Sequence, residues 1–160
     1  MAKENILTVL ETALLNAFDD QYDFAMDFDS KHHRITLYFR LFAQNEQAEV
    51  IEDEDGVMAS DIIEFEDAVL LYQEGQTISD DEYLYTLAFN RKKGLPYATL
   101  MALAETLRDV LDEGQSDLLD FIHDANQEEF SLHFDEATFK RYLEIMEQRY
   151  PNRWVAYPKF

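Results

Sequence analysis

The sequence predicts an α+β fold, in which an antiparallel sheet of about four or five strands carries helices packed on one face. Four segments of the chain alternate apolar and polar residues, as half-buried strands do. Segments with the 3.6-residue periodicity of helices precede and follow these strands, so the two kinds of element are segregated along the chain. Since 160 residues is an ordinary length for one domain, we expect residues 1–160 to form a single globular domain.

The first elements are a helix and a β-hairpin. Apolar residues recur at helical spacing over residues 4–18 and indicate an amphipathic helix. Alternation then predicts strands over residues 22–28 and 33–42. The residues between them, 29–32, have turn chemistry and predict a hairpin.

Two more strands and a helix follow. Alternation predicts strands over residues 62–72 and 83–89. Pro96 is well placed to begin a helix, and an apolar stripe continues from it to residue 113. We expect Gly114 to end this helix in the left-handed conformation, and Ser116 to cap a short helix after it.

The last quarter of the chain predicts a short strand, a helix and a packed tail. The strand covers residues 129–134, and the helix is capped by Asp135 and ended by Pro151. We expect the aromatic tail, residues 154–160, to pack on the body of the protein. An alternative arrangement adds residues 48–51 or this terminal segment as edge strands.

The charge of the chain excludes several classes of partner. It has 13 Lys and Arg against 34 Asp and Glu, a net charge of −21. Such a surface repels phosphate backbones and anionic lipids, so we expect neither nucleic acid nor a membrane as a partner. The chain has no cysteine, which excludes disulfides, zinc–thiolate sites and cysteine nucleophiles. This composition fits a cytoplasmic protein.

The acidic stretch before Gly56 has a partial likeness to a calcium-binding loop. Aligned on this glycine, Asp53 and Asp55 occupy two ligand positions of an EF-hand. The first and twelfth positions are then Ile51 and Ile62, which cannot ligate a cation, so the EF-hand interpretation fails.

No other metal or catalytic motif is present in the sequence. The histidines have none of the spacings of metal ligands, and they are His32, His33, His123 and His133. There is no nucleophile elbow and no glycine-rich phosphate loop. We therefore predict no catalytic residue, no cofactor and no metal, and favour a protein that is not an enzyme.

One basic cluster stands out in the acidic chain, at Arg91-Lys92-Lys93-Gly94. It precedes a predicted helix, where backbone amides and the helix dipole can bind an anion. A solvated loop that pairs with nearby acids is the simpler interpretation, and we favour it.

The acidic excess is concentrated in residues 41–90, which contain 14 acidic residues and no Lys, Arg or His. This segment either keeps the protein soluble and its strand edges unpaired, or attracts a basic protein partner. Glu64 and Glu66 share one face of the predicted strand, away from Ile63 and Phe65. The candidate partner-binding residues are Asp53, Glu54, Asp55, Glu64, Glu66 and Asp67.

These observations favour a non-enzymatic protein-interaction module, of an adaptor or chaperone-like kind, with an acidic surface. The alternative is a small-ligand-binding protein or an enzyme, with a pocket between sheet and helices lined by Tyr38, Arg40, Tyr83 and Tyr85. A third hypothesis is mimicry of nucleic acid by an array of carboxylates, although the acids of residues 41–90 show no regular spacing.

Four segments of the sequence carry a family resemblance. They are IIEFEDAVLLY at 62–72, KGLP at 93–96, LDEGQSDLLDF at 111–121 and YPKF at 157–160. These segments resemble a family of small acidic proteins from low-GC Gram-positive bacteria that is defined as a domain of unknown function. The resemblance extends over nearly the whole chain and implies a cytoplasmic bacterial protein, but no activity, ligand or catalytic residue.

Overall fold

The structure, a computed structural model, describes residues 4–44, 62–123 and 130–159. The helices are α1 (Ile6–Phe18), α2 (Tyr97–His123) and α3 (Glu136–Arg149). The strands are β1 (Asp23–Asp29), β2 (Arg34–Gln44), β3 (Ile62–Gln73), β4 (Tyr85–Phe89), β5 (Leu95–Pro96) and β6 (Trp154–Val155). The fold class is α+β, as the sequence predicted.

The main sheet has the strand order β1-β2-β3-β4. The first two pairs are antiparallel, with Met26 opposite Leu37 and Leu37 opposite Val69. The last pair is parallel, with Val69 beside Tyr85. The prediction of a purely antiparallel sheet was therefore wrong at β4, and the sheet is mixed.

The connection from β3 to β4 accounts for the parallel pairing. It runs back over the face of the sheet that carries the side chains of Arg34 and Thr86. Arg34 Nε donates to Gln76 Oε1 at 3.0 Å, and Thr86 Oγ1 donates to Asp80 Oδ1 at 3.2 Å. Leu70 points to this same face, between Thr36 and Thr86, and is 1% exposed. We call this side the outer face.

All three helices lie against the opposite, inner face. Phe18 of α1 packs edge-to-face on Phe24 of β1, with ring centroids 5.6 Å apart. Phe139 of α3 packs on Tyr85 of β4, with ring centroids 5.7 Å apart. The buried inward side chains of β2 are Ile35, Leu37, Phe39, Leu41 and Ala43. The prediction of helices on one face of the sheet is confirmed.

Helix α2 does not end at Gly114, and a separate helix capped by Ser116 does not form. A Cβ added to Gly114 would lie 2.2 Å from Leu132 Cδ2 and 3.2 Å from Leu41 Cδ1. The glycine therefore provides room for close packing inside a continuous helix. It does not adopt the left-handed conformation that ends one.

The other C-terminal predictions met mixed outcomes. Residues 130–134 form no strand, although Leu132 and Phe134 are buried, and residue 129 lies outside the described ranges. Asp135 caps α3 as predicted, accepting a hydrogen bond from Ala137 N at 3.0 Å. Residues 48–51 also lie outside the described part of the chain.

The C-terminal tail packs on the body, as predicted, and Val155, Tyr157 and Pro158 are buried. It pairs antiparallel with β5 in a separate two-stranded sheet and adds no edge strand to the main sheet. Gly94 permits this pairing, since its φ is +81° and an added Cβ would lie 1.8 Å from Val155 O. None of the helices in the described ranges combines the length and apolar character needed to cross a bilayer.

Replacing Gly94 with alanine tests this close approach. Gly94→Ala introduces both a strained positive φ and a clash with backbone, which cannot move aside as a side chain does. We expect a loss of roughly 2–4 kcal/mol in the free energy of unfolding, measured by urea titration. Gly75→Ala is the matched control, because Gly75 has φ +91° with nothing within 4 Å of an added Cβ. It should cost only about 1 kcal/mol, and equal losses for the two variants would contradict the packing argument.

Candidate functional site

Within the described part of the chain, the outer face has a group of exposed side chains at the end away from the β3–β4 connection. The exposed side chains here come from β1, β2 and β3, and we call this surface the acidic face. Its members are Asp23, Tyr38, Arg40, Phe42, Glu64 and Glu66. The strand register holds them together, since Arg40 lies between Asp23 and Glu66 and Phe42 lies beside Glu64.

The alternation of β2 places its members of the acidic face. Phe39 and Leu41 point inward and are each 1% exposed. Their neighbours Tyr38, Arg40 and Phe42 must therefore point outward, since successive side chains of a strand alternate between faces. The same rule directs Glu64 and Glu66 of β3 outward, so the prediction that these two acids share a face is confirmed.

Arg40 stands between the two glutamates of the acidic face. Its Nε lies 3.1 Å from Glu66 Oε2 and 3.4 Å from Glu64 Oε1. All three side chains are about half exposed. Exposed ion pairs contribute at most about 1 kcal/mol, so this arrangement exchanges easily for contacts with another cation.

A shallow cavity of about 350 Å³ lies beside Arg40, between Asp23, Tyr38 and Glu66. The rings of Tyr38 and Phe42 are 38% and 42% exposed. Aromatic rings and carboxylates both attract cations, the rings through the negative charge on their faces. The acidic face therefore offers two kinds of contact to a guanidinium or ammonium group.

Three of the candidate partner-binding residues, Asp53, Glu54 and Asp55, lie outside the described ranges. The segment that contains them starts after Gln44 and ends before Ile62, and these two residues are partners in the β2–β3 register. The segment thus leaves and rejoins the sheet at the end where Phe42 and Glu64 lie. It carries seven of the 14 acidic residues of the segment 41–90.

The structure separates Asp67 from the other two described candidates. Asp67 is the cross-strand partner of the buried Phe39. It is two residues from Phe65 and therefore points to the same inner face. Its Oδ1 accepts a hydrogen bond from Ala68 N at 2.8 Å. Burial raises the pKa of the Asp67 carboxyl, against the smaller opposing effect of this hydrogen bond.

The pocket expected between sheet and helices does not bring its four predicted residues together. Tyr38 and Arg40 lie on the outer face. Tyr85 lies on the inner face, stacked on Phe134 with centroids 4.0 Å apart. Tyr83 precedes β4. In the described ranges, no group of three or more His, Asp or Glu side chains is arranged to hold a metal.

The backbone of the basic loop is already occupied. Asn90 Oδ1 accepts hydrogen bonds from the amides of Lys92 and Lys93, both at 2.9 Å. These two amides are therefore not free to bind an anion, as the sequence-based hypothesis of an anion site in this loop requires. The side chain of Arg91 instead lines a cavity with His33 and Lys159, which sequence reasoning did not connect.

A polar cluster at the C-terminal end of α1 was also missed. Arg108 of α2 donates to Ala17 O at 2.5 Å and forms an ion pair with Asp112 at 2.9 Å. Tyr22 donates a hydrogen bond to Asp112, and burial together with this contact raises the pKa of the Tyr22 hydroxyl. Arg108 also contacts the polar side chain of Gln21 at 2.9 Å. The cluster ties α1 and the following turn to α2.

The position of Asp67 makes stability depend on pH in a defined direction. Because the pKa of Asp67 is raised in the folded state, its ionisation opposes folding at neutral pH, and this penalty disappears as the pH falls below both pKa values. We expect Asp67→Asn to be more stable than the parent at pH 7, with the advantage shrinking towards pH 4. Urea unfolding across this range measures it. Asp27→Asn, at an exposed position of β1, controls for the loss of one charge, and a pH-independent advantage of Asp67→Asn would contradict the argument.

The comparisons with known proteins agree with the fold and assign no activity. The chain is similar to a crystal structure described as a conserved protein of unknown function from Enterococcus faecalis. The two are 39% identical, the match covers 99% of this chain and 98% of that one, and the TM-score is 0.85. No curated protein matches the chain. Residues 1–159 match the family described as "Protein of unknown function (DUF3013)", which confirms the resemblance in the sequence: the chain belongs to this family.

Proposed function

We propose that the protein is a non-enzymatic interaction module, of an adaptor or chaperone-like kind, that binds a basic protein through the acidic face. The observation that carries the proposal is the exposed pairing of Arg40 with Glu64 and Glu66 between two exposed aromatic rings. A guanidinium is already held at this place, so the contacts that a partner's arginine needs are built into the sheet.

The chemistry of the acidic face selects arginine and lysine as partner groups. Carboxylates accept charge-assisted hydrogen bonds from a guanidinium, and such bonds are stronger than those between neutral groups. The rings of Tyr38 and Phe42 add cation–π contacts of about 0.5–1 kcal/mol at exposed sites. A partner arginine that displaces Arg40 makes both kinds of contact at once.

The net charge of the chain supports the same partner. A net charge of −21 raises the rate at which a basic protein meets this surface. It also disfavours nucleic acid and anionic membranes as partners. The proposal places the protein in the cytoplasm, as a single-domain module, which its lack of cysteine supports.

Neutralising the two glutamates tests the proposal. We expect Glu64→Gln/Glu66→Gln to weaken binding of a fluorescent peptide, with four arginines spaced by serines, by about tenfold at low salt. This factor corresponds to about 1.4 kcal/mol, or roughly 0.7 kcal/mol for each lost charge contact. Fluorescence anisotropy measures the dissociation constant. The affinity of the parent should fall steeply between about 50 and about 150 mM salt, because salt screens the attraction between the charges.

Two further variants make this result specific. Glu144→Gln/Glu147→Gln removes the same charge from exposed positions of α3 and should change the affinity by less than about twofold. Arg40→Gln frees both carboxylates and should tighten binding. If the double variants in β3 and in α3 weakened binding equally, the effect would come from the net charge alone, and the proposal would be overturned.

The acidic segment beyond the end of β2 should act mainly on the rate of association. Converting Glu52, Asp53, Glu54 and Asp55 to Gln and Asn should slow association of the same peptide more than it speeds dissociation, because peripheral charges chiefly steer the encounter. Stopped-flow fluorescence separates the two rates. If the association rate and its dependence on salt concentration were both unchanged, the segment would serve only to keep the protein soluble.

A further inference from the structure

A second cavity lies at the other end of β2 and differs in charge from the rest of the chain. It is an open cleft of about 480 Å³, and we call it the basic cavity. It is lined by Phe28, Ser30, His33, Arg91, Tyr157, Pro158 and Lys159. His33 and Arg40 are seven residues apart, which places the basic cavity about 20 Å from the acidic face along an extended strand.

The cations of the basic cavity have no carboxylate paired with them among residues 4–44, 62–123 and 130–159. Neither Arg91 nor Lys159 forms an ion pair with a carboxylate in the described part of the chain, although the protein has 34 acidic residues. Asp29 lies close enough to Tyr157 to raise the pKa of its hydroxyl, but its hydrogen bonds go to His32 Nδ1 at 2.7 Å and to the amide of Lys31 at 3.2 Å. Arg91 and Lys159 therefore line the cavity without an ion pair to any described carboxylate.

His33 and Tyr157 form the polar floor of the basic cavity. His33 Nδ1 lies 3.2 Å from the Tyr157 hydroxyl, which leaves Nε2 as the ring nitrogen available to a ligand. Arg91 lies close enough to oppose the rise in the pKa of Tyr157 that burial causes. The backbone of His33 has φ +54°, in the left-handed region that histidine, asparagine and aspartate adopt more often than other residues with a side chain.

Contacts within the fold hold the walls of the basic cavity in place. Tyr157 stacks on Phe89 at 5.0 Å and packs edge-to-face on Phe28 at 5.6 Å. The close approach of Gly94 to Val155 O directs the C-terminal segment, and hence Lys159, to this position. Packing thus fixes the aromatic wall of the basic cavity, and Arg91 and Lys159 are exposed residues that line it.

We propose that the basic cavity binds the phosphate group of a small phosphorylated molecule. The guanidinium of Arg91, the ammonium of Lys159, the imidazole of His33 and the hydroxyl of Ser30 supply donors of the kind that phosphate oxygens accept. The apolar side chains of Phe28 and Pro158 provide a surface for the organic part of the ligand. The volume lies within the range of roughly 300–1,000 Å³ that is usual for small-molecule sites.

The charge of the whole molecule limits the ligand to a small anion. A nucleic acid extends over the surface and meets the repulsion of a net charge of −21. A single phosphate inside the cavity is within contact distance of its cations and is separated from the acidic face by more than the Debye length of about 8 Å. The site is therefore compatible with an acidic protein that rejects polyanions.

Calorimetric titration at constant ionic strength tests the proposal with three probes: AMP, inorganic phosphate and adenosine. We expect saturable binding of AMP or of inorganic phosphate, and none of adenosine. Tighter binding of AMP than of inorganic phosphate identifies a phosphate ester as the ligand, and equal binding identifies free phosphate. Absence of saturable binding of both phosphate compounds up to about 10 mM, or equal affinities for AMP and adenosine, would overturn the proposal.

Substitutions in and beside the cavity decide whether the phosphate binds there. Arg91→Gln and Lys159→Gln should each weaken binding about tenfold, and His33→Asn should weaken it while tolerating the left-handed backbone. Lys92→Gln is the matched control, because it removes the same charge from the same loop outside the cavity, and it should change the affinity by less than about twofold. An equal loss for Lys92→Gln would overturn the proposal.

Two measurements separate this result from loss of folding and from the proposed function. The thermal midpoint of each variant reports whether it remains folded. Binding of the arginine peptide should be unchanged in Arg91→Gln, since the acidic face lies at the other end of β2. If the protein bound the arginine peptide but no phosphate, only the proposal for the basic cavity would be overturned, and the proposed function would stand.

Discussion

Burial of the inward side of β2 beneath α2 is the packing interaction on which the rest of the structure depends. Leu41 contacts the helix where Gly114 leaves room for it, and α2 in turn receives α1 and α3. Once Phe39 and Leu41 are fixed inside, their neighbours Tyr38, Arg40 and Phe42 must lie outside, because alternation leaves them no other face. The acidic face is therefore a direct consequence of how the core is filled.

The same strand carries sites of opposite charge at its two ends. The outer face at Arg40 presents Glu64 and Glu66, whereas the turn before β2 presents His33 to a cavity with Arg91 and Lys159. A separation of about 20 Å exceeds the Debye length of about 8 Å at physiological salt, so neither site neutralises the other. The two proposals therefore do not compete for one surface of the molecule.

The sequence predicted those features that follow from local periodicity. Alternation was sufficient to place Glu64 and Glu66 on the other face of the strand from Ile63 and Phe65. It also contained a signal that was missed, since Asp67 is an even number of residues from Phe65 and therefore points inward with it. Periodicity has no direction, so it could not distinguish a parallel from an antiparallel β4. The convergence of Arg91 and Lys159 depends on tertiary packing through Gly94, which no local pattern contains.

Both proposed sites coincide with departures from the rules that favour folding. Exposed rings at Tyr38 and Phe42 bury little apolar surface, and the Arg40 ion pairs are too exposed to contribute much stability. His33 holds a left-handed backbone that costs about 1–2 kcal/mol relative to glycine. Sequences are locally consistent with their folds except where another requirement prevails, and function is the usual one. Departures of the same kinds occur elsewhere, at the exposed Leu15 and Trp154 and at the left-handed Asp19 and Asn152. The charged side chains beside Tyr38 and His33 are therefore what distinguishes the two proposed sites.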